Sequence, residues 1–283
     1  MLKAHPYIWQ DGKIQRGCDA AVPALSPGFL YGVGAFETAR WRVGKGVFRL
    51  HEHAQRMARA LRYLNMPAPS ADPEAMKRAA ETTAEANRLN EDAAVRWTSA
   101  LGTDGELINI VHMRPLLYCE EKLEAGLSAV SFLAERGECA RHKTLNYAPL
   151  LLAKQAALRA GCDEAVLIDR SGSVLEASTA NLFIVKNSAL ATPPADLPIL
   201  SGVTRKAVLE AARECGVGAC EEIIQARELE RAEEAFLTSA AGGVMPLARL
   251  NGRRIGNAGL RRPVTEAVQK ALARLTAREM NGA

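Results

Sequence analysis

A chain of 283 residues with 48% hydrophobic content can bury a substantial core, as one large domain or two small ones. Its formal charge of +4 is mild, no run of five or six basic residues occurs, and aromatic content is 5%, which argues against a nucleic-acid-binding surface. No stretch of eighteen apolar residues exists to span a membrane, and the first residues lack the apolar core of a signal peptide. Six cysteines form no C-x-x-C pair, and the five histidines, His51 and His53 among them, make no ligand spacing with them, so no metal is expected. Free thiols in a reducing cytoplasm follow from that usage.

In chain order, Tyr7-Ile8-Trp9 leads through the turn Gln10-Asp11-Gly12 into a polar return, a hairpin. A glycine-punctuated apolar segment at 28–34 enters a strand at about 35–43. A turn at 43–46 and a returning strand at 47–50 follow. A helix is predicted over about 50–64, with Met57, Leu61 and Leu64 at helical spacing. Asp72-Pro73 opens another helix, because aspartate caps and proline fits the first turn. Strands at about 94–101 and 107–117 flank the turn 102–105. The polar stretch 119–127 reads as an interdomain linker between a smaller domain, 1–118, and a larger one, 128–283.

The second part opens with a strand at 128–133 and a helix at about 147–159 ending at Gly161, on which Lys154 reads as a surface residue. Strands at 165–168, 173–175 and 181–185 follow, then a helix over 203–215 stopped by Gly216. A strand end rich in small residues at 234–246 and a helix from about Leu260 complete the chain. Strands cluster in hairpins instead of alternating with helices, so the fold class is α+β, built as two α/β domains.

Three segments carry chemistry. Lys143, in Arg141-His142-Lys143 ahead of a helix, could attack an aldehyde if burial or neighbouring positive charge keeps its amine neutral. Glu176 closes a strand before small residues, where a carboxylate could keep a pyridine nitrogen protonated. Gly202-Val203-Thr204 offers a close backbone approach, a hydroxyl and a helix N-terminus, a ready phosphate site to which Arg56 could add a charge-assisted bond. Each feature alone also describes an ordinary surface group. Together they point to pyridoxal 5'-phosphate.

With these residues side by side, the sequence resembles the class IV, or fold-type IV, pyridoxal-phosphate family. That family includes branched-chain and D-amino-acid aminotransferases and aminodeoxychorismate lyases. The resemblance runs from YIWQDGK at 7–13 to EAFLTSAAGGVMP at 234–246, through GFLYGVGAFETAR at 28–40, FRLHEHAQRM at 48–57, KTLNY at 143–147, GSVLEASTANLF at 172–183 and ILSGVTR at 199–205. It implies a D-amino-acid-aminotransferase-like fold with the cofactor between two domains, in a homodimer. It makes Lys143 the Schiff-base lysine and proton carrier, Glu176 the partner of the pyridinium nitrogen and Tyr147 that of the ring hydroxyl. Arg56, Val203 and Thr204 would hold the phosphate, Leu200 would pack on the ring, and Ala240 falls on the cofactor side. Tyr31, Phe36, Arg40, Arg96 and Ala241 match the substrate side, with Arg40 and Arg96 suited to a carboxylate.

The chain departs from the family pattern at Val33, where an acidic residue is common, and at Ala240, where many members carry a threonine. Trp97 and Thr98 also stand where an arginine–histidine signature would mark a D-amino-acid enzyme. The implied activity is amino transfer between an amino acid, possibly of branched-chain type, and a 2-oxo acid. The alternative is a lyase releasing 4-aminobenzoate and pyruvate from aminodeoxychorismate, in keeping with FETAR at 36–40 and Val244-Met245-Pro246.

Overall fold

The computed structural model describes residues 4–68, 71–256 and 262–282. The chain divides into two compact units, Met1–Leu117 with His142–Tyr147, and Tyr118–Arg141 with Ala148–Ala283. The Lys143 segment therefore clusters with the first unit, whereas the sequence reading carries it with the second. The stretch read as a linker holds a short helix, Glu120–Ala125, inside the second unit.

In the first unit, β1 (Tyr7–Gln10) and β2 (Lys13–Arg16) form the expected hairpin, with Gln10 opposite Lys13. The glycine-rich segment contains a helix that its composition conceals, α1 (Pro27–Tyr31), started by the Ser26 side chain accepting from Phe29 N–H and stopped by Gly32 at φ 67°. Then come β3 (Gly34–Arg42), a two-residue β4 (Gly46–Val47), α2 (Leu50–Tyr63), α3 (Pro73–Ala86), β5 (Ala93–Leu101) and β6 (Leu107–Pro115). The return strand is shorter than predicted because the chain enters α2 at Leu50. Asp72 caps α3 as its sequence demands, accepting from Ala75 N–H at 2.8 Å. Among the described residues the sheet order is β2-β1-β6-β5-β3-β4, antiparallel throughout.

Alternation along these strands gives the sheet two different faces. Val95, Trp97, Val111 and Met113 are buried, and Trp97 Nε1 donates to the Met76 carbonyl of α3 at 2.9 Å. The other face carries Phe36, Arg96, Thr98, His112 and Arg114. The helix α2 buries Ala54, Met57, Ala60 and Leu61, but His53 and Arg56 lie on the same buried stripe. Two polar groups on an apolar stripe require partners in the core.

In the second unit, α4 (Glu120–Ala125), β7 (Leu127–Leu133) and a 3₁₀ turn (Glu138–Arg141) precede α5 (Ala148–Arg159), β8 (Glu164–Ile168), β9 (Val174–Ala177) and β10 (Asn181–Lys186). Next are β11 (Ala189–Thr192), α6 (Val203–Glu214), β12 (Ala219–Glu221) and α7 (Ala226–Glu230). The chain ends with β13 (Glu234–Ser239), β14 (Gly243–Leu250), β15 (Arg253–Arg254) and α8 (Pro263–Asn281). The expected start of the last helix near Leu260 lies outside the described residues. The small-residue strand at 234–246 is two strands, reversed by a turn at Ala240–Gly242, with Ser239 opposite Gly243. The mixed sheet runs β12-β11-β10-β13-β14-β7-β8-β9, with β15 beside β14. Its parallel joints are β11–β12, β14–β7 and β7–β8. Leu127, Val166, Val174, Leu182, Ile184 and Leu237 form its core.

The segment after residue 142 is fixed to the tip of β3. Phe36 N–H donates to the Lys143 carbonyl at 2.9 Å and Leu145 N–H to the Gly34 carbonyl at 2.8 Å, with Thr144 bridged to Ala35. Such close approach requires glycine at 34, where a Cβ would stand 2.6 Å from both the Ser99 carbonyl oxygen and the Leu145 side chain. Gly34→Ala is expected to destabilise the fold by about 1–3 kcal/mol, through overpacking at this joint. Urea denaturation of the two proteins measures it, and an unchanged midpoint would show that the joint yields without cost.

Candidate active site

Three groups meet around the Phe36 ring in the first unit. Lys143 Nζ lies 4.5 Å from the ring centroid, Arg96 Cζ lies 3.6 Å from it, and the Tyr147 ring meets it edge-on at 5.3 Å and 82°. Cations over an aromatic face are held by the ring quadrupole, so one phenylalanine orients both. The backbone bonds to β3 put Lys143 there. Its sequence neighbours act elsewhere: His142 stacks on Tyr63 at 4.0 Å, and Arg141 donates to the Asp196 carbonyl within the second unit.

Beneath β3, Glu37 is fully buried. It accepts from Arg56 Nε and Nη2, each at 2.7 Å, and from His53 Nδ1 at 2.8 Å. A carboxylate can only accept here, which fixes the proton of neutral His53 on Nδ1. Burial pushes the Glu37 pKa up, but the charges and hydrogen bonds of Arg56 and His53 outweigh it and hold the group below the usual carboxylate range. Burial lowers the His53 pKa, opposed by Glu37 and assisted by Arg56 and Lys143. Arg56 is thus clamped bidentately on Glu37 through Nε and Nη2. Glu37 and His53 escaped the sequence reading. The available signal was charge where the strand and helix patterns demand apolar residues.

Other residues assigned to the substrate side separate. Arg40, at the far end of β3, donates from Nε to Asp92 at 2.8 Å and so already has its carboxylate. Tyr31 ends α1 with 71% of its surface exposed.

In the second unit, Glu176 lies buried on β9. Oε1 accepts from Arg136, while Oε2 accepts from Asn181 Nδ2 at 3.1 Å and from Leu200 N–H at 3.2 Å. Asn181 Nδ2 also donates to the Leu200 carbonyl at 2.8 Å, so the same network sets Leu200. The loop after Glu176 is braced from below, where Ser178 and Thr179 donate to the buried Glu164, Thr179 at 2.5 Å. Lys154, read from sequence as a surface residue, is instead a partner in this network. Its Nζ lies 3.2 Å from Glu164 and 3.1 Å from the Tyr118 hydroxyl.

Gly202 begins α6 with no side-chain cap, and the first helical residues, Val203 and Thr204, are buried. Buried helix-terminal N–H groups without a cap call for an anion. A Cβ at 202 would fall 2.1 Å from Asn181 Oδ1. Opposite Asn181 on β13, the buried Thr238 Oγ1 has no hydrogen-bond partner. Ala240 and Ala241 lie in the turn after β13, closed by Gly242 N–H donating to Ser239 Oγ at 3.0 Å. An uncapped helix terminus, an orphaned hydroxyl and an anchored carboxylate match the donor and acceptor needs of a phosphorylated pyridine. Among the described residues no group of histidine, cysteine or acidic side chains could hold a metal ion, and no helix is long and apolar enough to cross a membrane.

The model of the family Amino-transferase class IV matches residues 34–250. The chain belongs to that family. It is 33% identical to a branched-chain-amino-acid aminotransferase of Pseudomonas aeruginosa, over 93% of this chain and 91% of that protein. Among solved structures, the Escherichia coli branched-chain amino acid aminotransferase superposes with a TM-score of 0.87 at 28% identity, covering 97% of this chain and 95% of that one. The branched-chain aminotransferase of the thermophilic archaeon Thermoproteus uzoniensis, solved with norvaline, gives 0.85 at 27% identity, covering 98% and 96%. The fold is the fold-type IV architecture of these enzymes.

Two outcomes follow for this family member. Glu37→Gln, which leaves Arg56 buried without its counter-charge, is expected to cost about 3–5 kcal/mol in urea denaturation; a loss below about 1 kcal/mol would show the clamp to be dispensable. Acid should also destabilise the fold. His53 and His112 have pKa values below the usual 6.5, His112 near 4 through burial and then Arg96 and Arg114. The unfolded chain therefore takes up protons that the folded one refuses, and stability is full above about pH 6.5 and falls below it. Glu37, also held low, adds a further loss below about pH 4.5. Between pH 7.5 and 5, His112 should account for about 1–2 kcal/mol, so His112→Gln should show a correspondingly smaller drop.

Proposed function

We propose that the protein is a pyridoxal-phosphate-dependent aminotransferase that moves an amino group between an amino acid, branched-chain types included, and a 2-oxo acid. The observation that carries this reading is Lys143, whose segment is docked by two backbone hydrogen bonds beside the Phe36 ring in a chain of the class IV family. When bound, the cofactor supplies an aldehyde for an amine and a ring that accepts electrons from the substrate carbon. Lys143 would offer the amine for attachment and, once displaced by the substrate amine, would carry the proton from the substrate Cα to the cofactor side. Tyr147 holds the ring hydroxyl and Glu176 keeps the ring nitrogen protonated. The N–H groups of Val203 and Thr204, the Thr204 hydroxyl and Arg56 would hold the phosphate, and Leu200 would pack on the ring. On the substrate side Arg96 takes a carboxylate, with Phe36 setting its position.

Within the same reading the enzyme is a cytoplasmic homodimer. Its six free cysteines suit a reducing compartment. The exposed apolar run Leu25, Phe29, Leu30 and Tyr31 suits contact with a second copy.

The test is an absorbance spectrum of the purified protein with cofactor, with and without amino donors, beside Lys143→Ala. The wild type should turn yellow and bleach with an amino acid. The variant should lack the band and transfer amino groups more than about 10³-fold more slowly. A band that no amino acid bleaches, with pyruvate released from aminodeoxychorismate, would replace this reading with the lyase.

A further inference from the structure

A buried ion pair underlies the turn that joins β9 to β10. Glu164, at the start of β8, is 2% exposed, and its carboxylate accepts from four donors. Oε1 takes the Ser178 hydroxyl and the Ala165 N–H at 3.1 Å, and Oε2 takes the Thr179 hydroxyl at 2.5 Å and Lys154 Nζ at 3.2 Å. Lys154 Nζ also donates to the Tyr118 hydroxyl at 3.1 Å and to the Asp163 carbonyl. The Tyr118 hydroxyl donates to that same carbonyl at 3.3 Å. Ammonium and carboxylate are both filled to their hydrogen-bonding capacity.

Stability alone does not call for this pair. Two buried charges gain little over apolar side chains of the same volume, because desolvation offsets their attraction. Hydrogen bonds add direction, which apolar packing lacks. Here the direction is imposed on hydroxyls at two consecutive positions, the buried Ser178 and the exposed Thr179. Ser178 N–H also donates to the Ala165 carbonyl at 2.9 Å, so backbone and side chain both register the turn on β8. Ala177 N–H donates to the Ala180 carbonyl at 2.7 Å and closes it. On either side stand Glu176 and Asn181, which meet through Glu176 Oε2 and Asn181 Nδ2 at 3.1 Å. The turn therefore sets the acid against the amide that orients it.

We propose that Glu164, held by Lys154, is a positioning residue for the reaction: through the Ser178 and Thr179 hydroxyls it fixes the turn that aims Glu176 at the ring nitrogen of the cofactor. The assignment rests on the pyridoxal-phosphate reading of Glu176 given above. Glu164 and Lys154 touch neither substrate nor cofactor in this role and act only through the turn.

The test is equilibrium exchange on the full-length, cofactor-loaded protein, by dialysis against a carbocyclic analogue of the cofactor. In that analogue a carbon replaces the ring nitrogen, while the aldehyde, hydroxyl and phosphate are kept. The ratio of the two bound molecules reads the contact at the ring nitrogen, since a general loosening of the site weakens both alike. Wild type should favour pyridoxal phosphate at least about 10-fold, the strength of one charge-assisted hydrogen bond, and Glu176→Gln should erase that preference. Ser178→Ala/Thr179→Val, which keeps the ion pair, should lower it about 5- to 10-fold. Thr179→Val alone, a change of equal size at an exposed position, should lower it about 2- to 3-fold. Lys154→Met/Glu164→Gln removes both charges together and leaves the turn one acceptor oxygen, so its preference should fall between those of wild type and Ser178→Ala/Thr179→Val. An unchanged preference in Ser178→Ala/Thr179→Val, beside its loss in Glu176→Gln, would overturn the positioning role and leave the cofactor reading intact. No preference in wild type would remove the cofactor reading of Glu176, and the proposal with it.

Discussion

A carboxylate sealed from water organises the first unit. Glu37 has no exposed surface and is tolerable there only because Arg56 and His53 complete it. The three side chains come from β3 and from one stripe of α2, so the network joins a strand to the helix packed beneath it. It also fixes the orientation of the Arg56 guanidinium. Removing any member strands a buried charge or dipole, so the three side chains stand or fall together.

The same strand serves both faces. Because side chains alternate, Glu37 points toward α2 while its neighbour Phe36 supports Arg96 and Lys143 on the other side. Gly34, two residues earlier, lets the Lys143 segment approach close enough to hydrogen-bond. Three successive requirements therefore fall within four residues: a missing Cβ, an aromatic platform and a buried acid. In the second unit a comparable economy surrounds Glu176, whose oxygens tie together Arg136, Asn181 and Leu200.

Much of this was legible in the sequence. The hairpin at Asp11-Gly12, the Asp72-Pro73 helix start and the glycine-stopped helices rest on local rules, and they appear where those rules place them. Lys143, Glu176 and the Gly202–Thr204 turn could be singled out because an amine, an acid and a helix terminus have recognisable local settings. The remainder depends on contacts distant in sequence. Nothing near Arg40 reveals that Asp92 will claim it, and nothing near Lys154 shows that Glu164 and Tyr118 await it. Glu37, His112 and Arg114 acquire meaning only when strand register sets them beside their partners. The helix at 27–31 was hidden because glycine and proline punctuate it, and Ser26 supplies the cap that composition alone undervalues.

Asn181 illustrates how tightly the second unit constrains its own evolution. One amide fastens Glu176 and Leu200 through its nitrogen, and its oxygen occupies the space that a side chain at 202 would need. The two positions are consequently bound as a pair. A lineage that replaces Gly202 must first shorten or turn residue 181, and doing so removes one of the hydrogen bonds that hold Glu176. Drift at this turn is blocked in both directions, and a graft that moves one of these residues into another scaffold must carry the other with it.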